Sequence, residues 1–379
     1  MRRVYCDANA TTPLLPEVLE AMHPYWMERF GNASSIHTPG QQARTAVDQA
    51  RESVARFLNC HDAEVAFNSG GTEGANTAIF GMLRAGDHLI TTSIEHSAVL
   101  RAAERAAERG ASVTFVGPQP DGLIDPETIR AALRPQTRLI SVMLANNETG
   151  VVQPVEEIGK IAAAADAFFY IDAVQGAGKL PLDVRRLRCH VLTISAHKMH
   201  GPKGVGAMYV RRGTPLDALL VGGSHERRLR AGTQNVPAIV GLGKAVELAM
   251  ESLEDGTMER VAQLRDRLEA GILEIAGTSV NGAGAPRVAN TANIRFEQVE
   301  GEALVIALDL KGVAVSGGSA CHSGSTEPSH VLLAMGLDKN AARASLRFSL
   351  LKTATWEDVD QVLRVVPEAV EHLRALAPV

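Results

Sequence analysis

The sequence has few cysteines, no excess of basic residues and no long apolar run, and each shortage excludes a class of protein. Its four cysteines (Cys6, Cys60, Cys189 and Cys321) lie far apart, without the CxxC pairs of zinc and dithiol sites. We therefore predict no metal site and a reducing, cytoplasmic location. No stretch approaches the roughly 18 apolar residues of a membrane span, and residues 1–7 lack the apolar core of a signal peptide, so we expect no membrane association.

The charge balance excludes a protein that binds its partners through a basic surface. Lysine and arginine number 38 against 43 acidic residues, which gives a net charge of −5. The short basic cluster at residues 227–230 does not alter this balance, so no nucleic-acid partner is expected. With 45% hydrophobic residues, the 379-residue chain is typical of a globular protein of one large or two moderate domains.

The pattern of elements changes along the chain. From about residue 60 to 210, short apolar runs alternate with amphipathic helical stretches, which predicts an α/β fold with a mainly parallel sheet. After about residue 250, shorter predicted strands such as Val313–Ser316 mix with helices such as Trp356–Leu376, which indicates a smaller α+β domain. We place the large domain at 14–250 and the small domain at 1–13 and 251–379.

Two sets of polar residues follow two buried apolar runs. Residues 172–175 (Asp-Ala-Val-Gln) follow the run 168–171, and residues 195–198 (Ser-Ala-His-Lys) follow the run 191–194. Parallel strands would bring both sets to one edge of the sheet, where open α/β proteins bind ligands. A lysine, a carboxylate and hydrogen-bond donors are the groups that pyridoxal phosphate needs. The alternative is a helix-capping Asp172 and a solvated Lys198.

Three further strand ends carry candidate groups. Residues 70–73 (Gly-Gly-Thr-Glu) join a strand to a helix and could bind an anion, although Thr72 could instead cap the helix. His96 stands at the next junction, where its ring could stack on a flat cofactor and move protons or be purely structural. Asn147 could orient a substrate or cofactor oxygen, or belong to an asparagine-rich turn.

The last candidates lie in the C-terminal third. Cys321 occupies the Gly- and Ser-rich segment 316–328, which we predict to be mobile, and such a setting suits a nucleophile better than an incidental cysteine. The neighbouring His322 would point away from it in an extended loop. Arg347 lies in an apolar strand-like run and needs an anionic partner, either a substrate carboxylate or an internal acid.

These motifs, in this order, resemble the NifS-like (NifS/IscS-like) cysteine desulfurases, in the class V aminotransferase group of fold-type I pyridoxal-phosphate enzymes. The resemblance runs over nearly the whole chain. It rests on the segments 7–13, 30–35, 71–73, 95–96, 146–150, 172–175, 197–198, 201–204, 230–233, 318–321, 327–329 and 347–349. It implies fold type I, a homodimer and pyridoxal 5'-phosphate as the cofactor.

The resemblance also implies a role for each candidate residue. Lys198 is similar to the Schiff-base lysine, Asp172 to the partner of the pyridinium nitrogen, and Cys321 to the sulfur acceptor. The other implied roles are cofactor and substrate contacts: His96 stacking on the ring, Gln175 on the phenolic oxygen, Gly71, Thr72, Ser195 and His197 on the phosphate, Thr233 reaching it from the second subunit, Asn147 on cofactor and substrate, and Arg347 on the substrate carboxylate.

The implied activity is conversion of L-cysteine to L-alanine through a persulfide on Cys321. The sulfur would pass to an acceptor protein, such as an iron–sulfur scaffold or a tRNA-thiolation protein. The sequence of the cysteine segment fits the subtype with the longer loop. Two departures stand out: His322 after the cysteine resembles selenocysteine lyases, and no scaffold-docking tail follows Val379. Selenocysteine lyase, another pyridoxal-phosphate activity such as aminotransfer, and a non-catalytic sulfur-transfer scaffold stay as alternatives.

Overall fold

The computed structural model describes residues 2–317 and 327–376 as thirteen strands and fourteen α-helices. The described strands are β1 Val4–Tyr5, β2 Val65–Asn68, β3 His88–Thr92, β4 Ser112–Val116, β5 Thr137–Met143, β6 Phe168–Asp172, β7 Val191–Ser195, β8 Gly206–Val210, β9 Thr278–Val280, β10 Thr291–Phe296, β11 Val313–Ala314, β12 Ser316–Gly317 and β13 Ser345–Ser349.

The described helices divide into those before and those after residue 255. The first group is α1 Pro16–Met22, α2 Pro24–Met27, α3 Thr38–Leu58, α4 Gly71–Met82, α5 Ser97–Glu108, α6 Pro126–Ala131, α7 Val155–Ala164, α8 Val184–Leu187 and α9 Val236–Glu254. The second group is α10 Thr257–Leu273, α11 Gly301–Leu310, α12 His330–Ala334, α13 Lys339–Arg343 and α14 Trp356–Leu376. No described helix is both long enough and apolar enough to span a bilayer.

The central sheet has seven strands in the order β2-β8-β7-β6-β5-β3-β4. Strands β3 to β7 run parallel, whereas β8 is antiparallel to both of its neighbours. Every residue of β3, β7 and β8 is buried, as expected for strands covered on both faces. The predicted α/β class with a mainly parallel sheet is therefore confirmed.

The C-terminal part forms a second layer with its own apolar core. Strands β12-β13-β10-β9 make an antiparallel sheet, and β1 pairs in parallel with β11. Val4 and Cys6 pack in this core with side chains from residues 258–370. This packing supports the small domain that we proposed, although Val331 and Leu332 pack in the main core instead.

One predicted strand was wrong in a way that affects the site. The run Val313–Ser316 is two short strands, because the chain changes partner at Val315. Val313 pairs with Val4, whereas Ser316 pairs with Arg347 in another sheet. By contrast, the predicted helix Trp356–Leu376 has the predicted bounds.

Candidate active site

The carboxyl ends of β6 and β7 bring the two polar sets of the sequence together. These strands are parallel neighbours, with Asp172 opposite Thr193. Asp172 ends β6, and the 3-10 turn Ala196–Lys198 follows β7. The chain thus places a carboxylate and a lysine at one sheet edge, as the sequence predicted.

The amine of Lys198 is directed at the N-terminal segment. Its Nζ donates to the main-chain oxygens of Asn9 and Ala10, at 2.5 and 2.7 Å. Gln175 Nε2 donates to the same Asn9 oxygen at 2.9 Å. Lys198 and Gln175 therefore meet at one carbonyl, although they follow different strands.

Asp172 is a buried acid that lies near His96 and Lys198. Its Oδ1 accepts from the main-chain N–H of Val174 at 3.0 Å. Burial raises the pKa of the carboxyl above its usual value, and the nearby His96 and Lys198 oppose that rise. A cationic ring nitrogen next to Asp172 would favour its ionised form in the same way.

His96 is the N-cap of α5, and its ring is half-buried. Its Nδ1 accepts from the main-chain N–H of Ala98 at 3.1 Å. The neutral ring therefore carries its proton on Nε2. His96 and Thr72 also line a shared groove beside α5.

An open cavity of about 350 Å³ lies at the start of α4. Gly71, Thr72, Ser195 and His197, four of the predicted phosphate ligands, line it together with Thr11, Ser69 and Lys203. The N-cap of α4 is Gly70, whose φ of 135° favours glycine, so the alternative of Thr72 as the cap is wrong. The first N–H groups of this twelve-residue helix have no intrahelical acceptor and suit an anion.

The cavity wall also carries a lysine to which sequence reasoning gave no role. Burial, with Lys198 and Lys203 nearby, lowers the pKa of His197 to about 4, so this imidazole is neutral at pH 7. Its Nδ1 lies 3.1 Å from Thr11 Oγ1. Because His197 is neutral, Lys203, in the segment 201–204, is the side chain at the cavity wall that could neutralise the charge of a phosphate.

Arg347 lies in β13 and is 1% exposed. Its Nη2 pairs with Asp7 Oδ1 at 2.7 Å, and its Nη1 donates to the main-chain oxygen of Asn147 at 2.9 Å. The internal acid that the sequence left open as an alternative is therefore present. Its Nε has no hydrogen-bond partner among the described residues. Binding of a substrate carboxylate by Arg347 stays a prediction.

Asn9 connects these parts, and sequence reasoning gave it no role. Its side chain donates to Thr291 Oγ1 and the Asn147 oxygen, and its Oδ1 accepts from Lys179 and Asn290. It is 2% exposed. Because these partners are distant in sequence, only the motif 7–13 could have drawn attention to it.

Two buried acids lie behind the site. Glu95 Oε1 accepts from Thr92 Oγ1 and the main-chain N–H of Met143, and burial raises its pKa to about 8. Glu148 Oε2 accepts from Ser329 Oγ, and burial raises its pKa to about 7. Both acids therefore favour the neutral form more than an exposed glutamate does.

The sequence also singled out Cys321, His322 and Thr233. Cys321 and His322, with most of the segment predicted to be mobile, lie outside the described residues. Thr233 is exposed and does not line the cavity of its own chain. Its neighbour Arg230 nevertheless reaches the cavity rim, with Nε 3.0 Å from Glu73 Oε1.

Comparison with known proteins identifies the family. Residues 4–362 match the model of the family described as "Aminotransferase class-V". The chain belongs to this family. A relative from Methanosarcina thermophila named "Cysteine desulfurase IscS" is 48% identical over 381 residues, which cover 100% of this chain and 94% of the relative.

Solved structures are similar in fold as well as in sequence. A structure titled "NIFS-LIKE PROTEIN" matches with a TM-score of 0.91 and 36% identity, covering 98% of this chain and 100% of the other. A second, titled "SspA in complex with cysteine", matches with a TM-score of 0.80 and 36% identity, covering 92% and 98%. The predicted NifS-like family and fold type I are therefore confirmed, and pyridoxal-phosphate dependence follows from the family.

The described residues fit that cofactor. A side chain at Gly71 would lie 2.9 Å from Val174 Cγ2, and one at Gly70 3.3 Å from Ser195 Oγ, so the glycines keep the cavity open at its base. Hydroxyls, helix N–H groups and Lys203 suit a phosphate, a buried acid suits a ring nitrogen, and Lys198 suits an aldehyde carbon.

Proposed function

We propose that this class V enzyme is a cysteine desulfurase that converts L-cysteine to L-alanine and retains the sulfur as a persulfide. Relatives at 48–50% identity over the whole chain carry that name, and a structural neighbour was solved with cysteine. The observation that carries the proposal is the convergence of Lys198, Asp172 and the phosphate-type cavity at one sheet edge.

Pyridoxal phosphate would be held by the residues already described. Gly71, Thr72, Ser195, His197 and Lys203 would bind the phosphate. Asp172 would pair with the ring nitrogen, Gln175 would donate to the phenolic oxygen, and His96 would cover the ring. When bound, the cofactor stores the electron pair released at the substrate α-carbon.

The protein's own residues supply the proton transfers and the orientation. Lys198 would take the α-proton with its Nζ, which the Asn9 and Ala10 oxygens hold at the sheet edge. Asn147 and Arg347 would orient the substrate carboxylate. Because Arg347 is held by Asp7 and the Asn147 oxygen, a substrate would meet a guanidinium that is already positioned, with an Nε that has no partner in the described part of the chain.

Sulfur transfer would use Cys321. Its thiolate attacks the substrate sulfur, the new S–S bond forms, and the C–S bond breaks with its electron pair returning to carbon. Proton addition to that carbon, and return of the α-proton from Lys198 to the α-carbon, give alanine, and the protein keeps one sulfane sulfur. An acceptor protein, such as an iron–sulfur scaffold or a tRNA-thiolation protein, or a reductant, would then remove it.

A homodimer and a cytoplasmic location are part of the proposal. Large apolar side chains are exposed at Met27, Phe30, Ile36 and Val221, with 76%, 74%, 91% and 87% of their surface accessible. Such exposure favours burial against another protein surface. Thr233 would then reach the phosphate of the second subunit, which suits its exposed position away from the cavity of its own chain.

The testing experiment measures alanine and sulfide release from L-cysteine under reductant. We expect the parent to form both, and Cys321→Ala to lose both while keeping the visible absorbance of bound pyridoxal phosphate. Cys60→Ala is the matched control, because burial raises the pKa of Cys60 to about 12 and makes it a poor nucleophile.

Other outcomes would redirect the assignment. Full turnover in Cys321→Ala would favour another pyridoxal-phosphate reaction. A parent that holds the cofactor but is inert on cysteine would be tested with selenocysteine, because His322 follows Cys321. Failure to bind pyridoxal phosphate would favour a sulfur-transfer scaffold.

A further inference from the structure

A second lysine lies beside Lys198 and has no place in the chemistry described so far. Lys179, in the turn after β6, has a half-buried side chain. Its Nζ donates to Gln175 Oε1 at 2.8 Å and to Asn9 Oδ1 at 2.9 Å. Burial, followed by the charges of Lys198 and Arg347, holds its pKa well below the usual value.

The contact with Lys179 determines which way the Gln175 amide faces. A lysine ammonium can only donate, and a neutral amine that donates to two oxygens uses both of its hydrogens. Gln175 must therefore present Oε1 to Lys179. Its Nε2 is then turned to the Asn9 oxygen, 2.9 Å away, which also accepts from Lys198.

The amide nitrogen of Gln175 has one hydrogen more than this contact needs. Nε2 carries two hydrogens, and the bond to the Asn9 oxygen uses one. If the amide rotated by half a turn, Oε1 would face the Asn9 oxygen, and two acceptors would repel each other. The Asn9 oxygen and Lys179 therefore favour the same orientation of the amide, one from each side.

We propose that Lys179 is a positioning residue that holds the Gln175 amide with its NH2 group towards Lys198, and so provides a fixed donor to the phenolic oxygen of pyridoxal phosphate. The proposal rests on the proposed cofactor. A fixed donor stabilises the phenolate and favours loss of the proton from the nitrogen that joins Lys198 to the cofactor. Without Lys179, that proton should leave only at higher pH.

The test is a pH titration of the visible absorbance of bound pyridoxal phosphate. We expect Lys179→Met and Gln175→Leu each to raise the midpoint by roughly 0.5–1 pH unit, equivalent to one hydrogen bond. The double variant should match Gln175→Leu alone, because Lys179 acts through Gln175. Lys179→Arg, which is also only a donor and faces a cavity of about 30 Å³, should keep the parent midpoint.

The matched control is Lys352→Met. Lys352 lines the same small cavity, but it donates to the Leu248 oxygen and Ser252 Oγ rather than to Gln175. Its midpoint should equal that of the parent, and the melting temperature of each variant shows whether it is folded under the conditions of the titration.

Three results would overturn the proposal. One is an unchanged midpoint in Lys179→Met when Gln175→Leu moves it. Another is additive shifts in the double variant, which would mean that Lys179 acts directly by charge. If Lys179→Met does not fold, a midpoint in Lys179→Arg as high as in Gln175→Leu would contradict it. A parent without a visible band would instead remove the proposed cofactor, and this inference with it.

Discussion

The phosphate end and the amine end of the site are built in different ways. The phosphate end is an open cavity of about 350 Å³ whose groups come from the segments 69–73 and 195–204, with Ala10 and Thr11. The amine end joins the buried Asn9 and Gln175 and the half-buried Lys179 and Lys198 in one hydrogen-bond network. Thr72 and Lys203 at the first end are exposed to solvent, whereas the side chains at the second end depend on one another.

The difference indicates how substitutions should act. When a substitution removes a polar group from the open cavity, water takes its place, so only the affinity for the cofactor should decrease. A group lost from the buried network leaves partners unsatisfied, so stability and chemistry should change together.

The largest effect is expected at Lys198. Lys198→Ala should lower alanine formation by at least about 10³-fold, because it removes both the attachment point and the proton acceptor. It should also shift the visible band of bound pyridoxal phosphate. Initial rates and absorbance spectra measure this, with exposed Lys339→Ala as the control. Retained turnover would show that another lysine performs the reaction.

The buried network should respond next. Asn9→Ala removes acceptors and donors for Lys179, Asn290 and Thr291, and should lower the free energy of unfolding by about 2–4 kcal/mol. Urea denaturation measures this change. Asn340→Ala, at an exposed position, should change it by less than about 0.5 kcal/mol. Equal effects would mean that the network does not stabilise the fold.

Glu95 should make stability depend on pH. Its pKa is raised from 4.5 to about 8. The stability that its neutral carboxyl contributes to the fold is therefore present below pH 4.5 and is lost as pH rises towards 8. Glu95→Gln cannot ionise. Between pH 5 and pH 8, its free energy of unfolding should therefore exceed that of the parent by on the order of 1–3 kcal/mol. Melting curves across that range test this, and a difference that does not vary with pH would contradict it.

The smallest effect is expected at the phosphate end. Ser195→Ala should weaken binding of pyridoxal phosphate by about 5–10-fold, the value of one hydrogen bond, with stability unchanged. Equilibrium titration measures the affinity. Pyridoxal without its phosphate is the control ligand and should bind both proteins equally. An equal loss for both ligands would place Ser195 elsewhere than at the phosphate.

Sequence alone determined the α/β class and many of the groups at the phosphate end. Apolar runs followed by short polar motifs fix which side chains leave a parallel sheet at its carboxyl edge, because strand ends are a local property. The motifs 71–73, 172–175 and 195–198 could therefore be interpreted without knowledge of distant contacts.

Tertiary structure decided the amine end. Asn9 meets Lys179, Thr291 and Lys198 only after three distant parts of the chain have packed together. It likewise decided that Val313–Ser316 divides between two sheets and that Arg347 has Asp7 as a partner. Long-range contacts leave no periodic pattern in a sequence, because each residue type could satisfy its hydrogen bonds with many others.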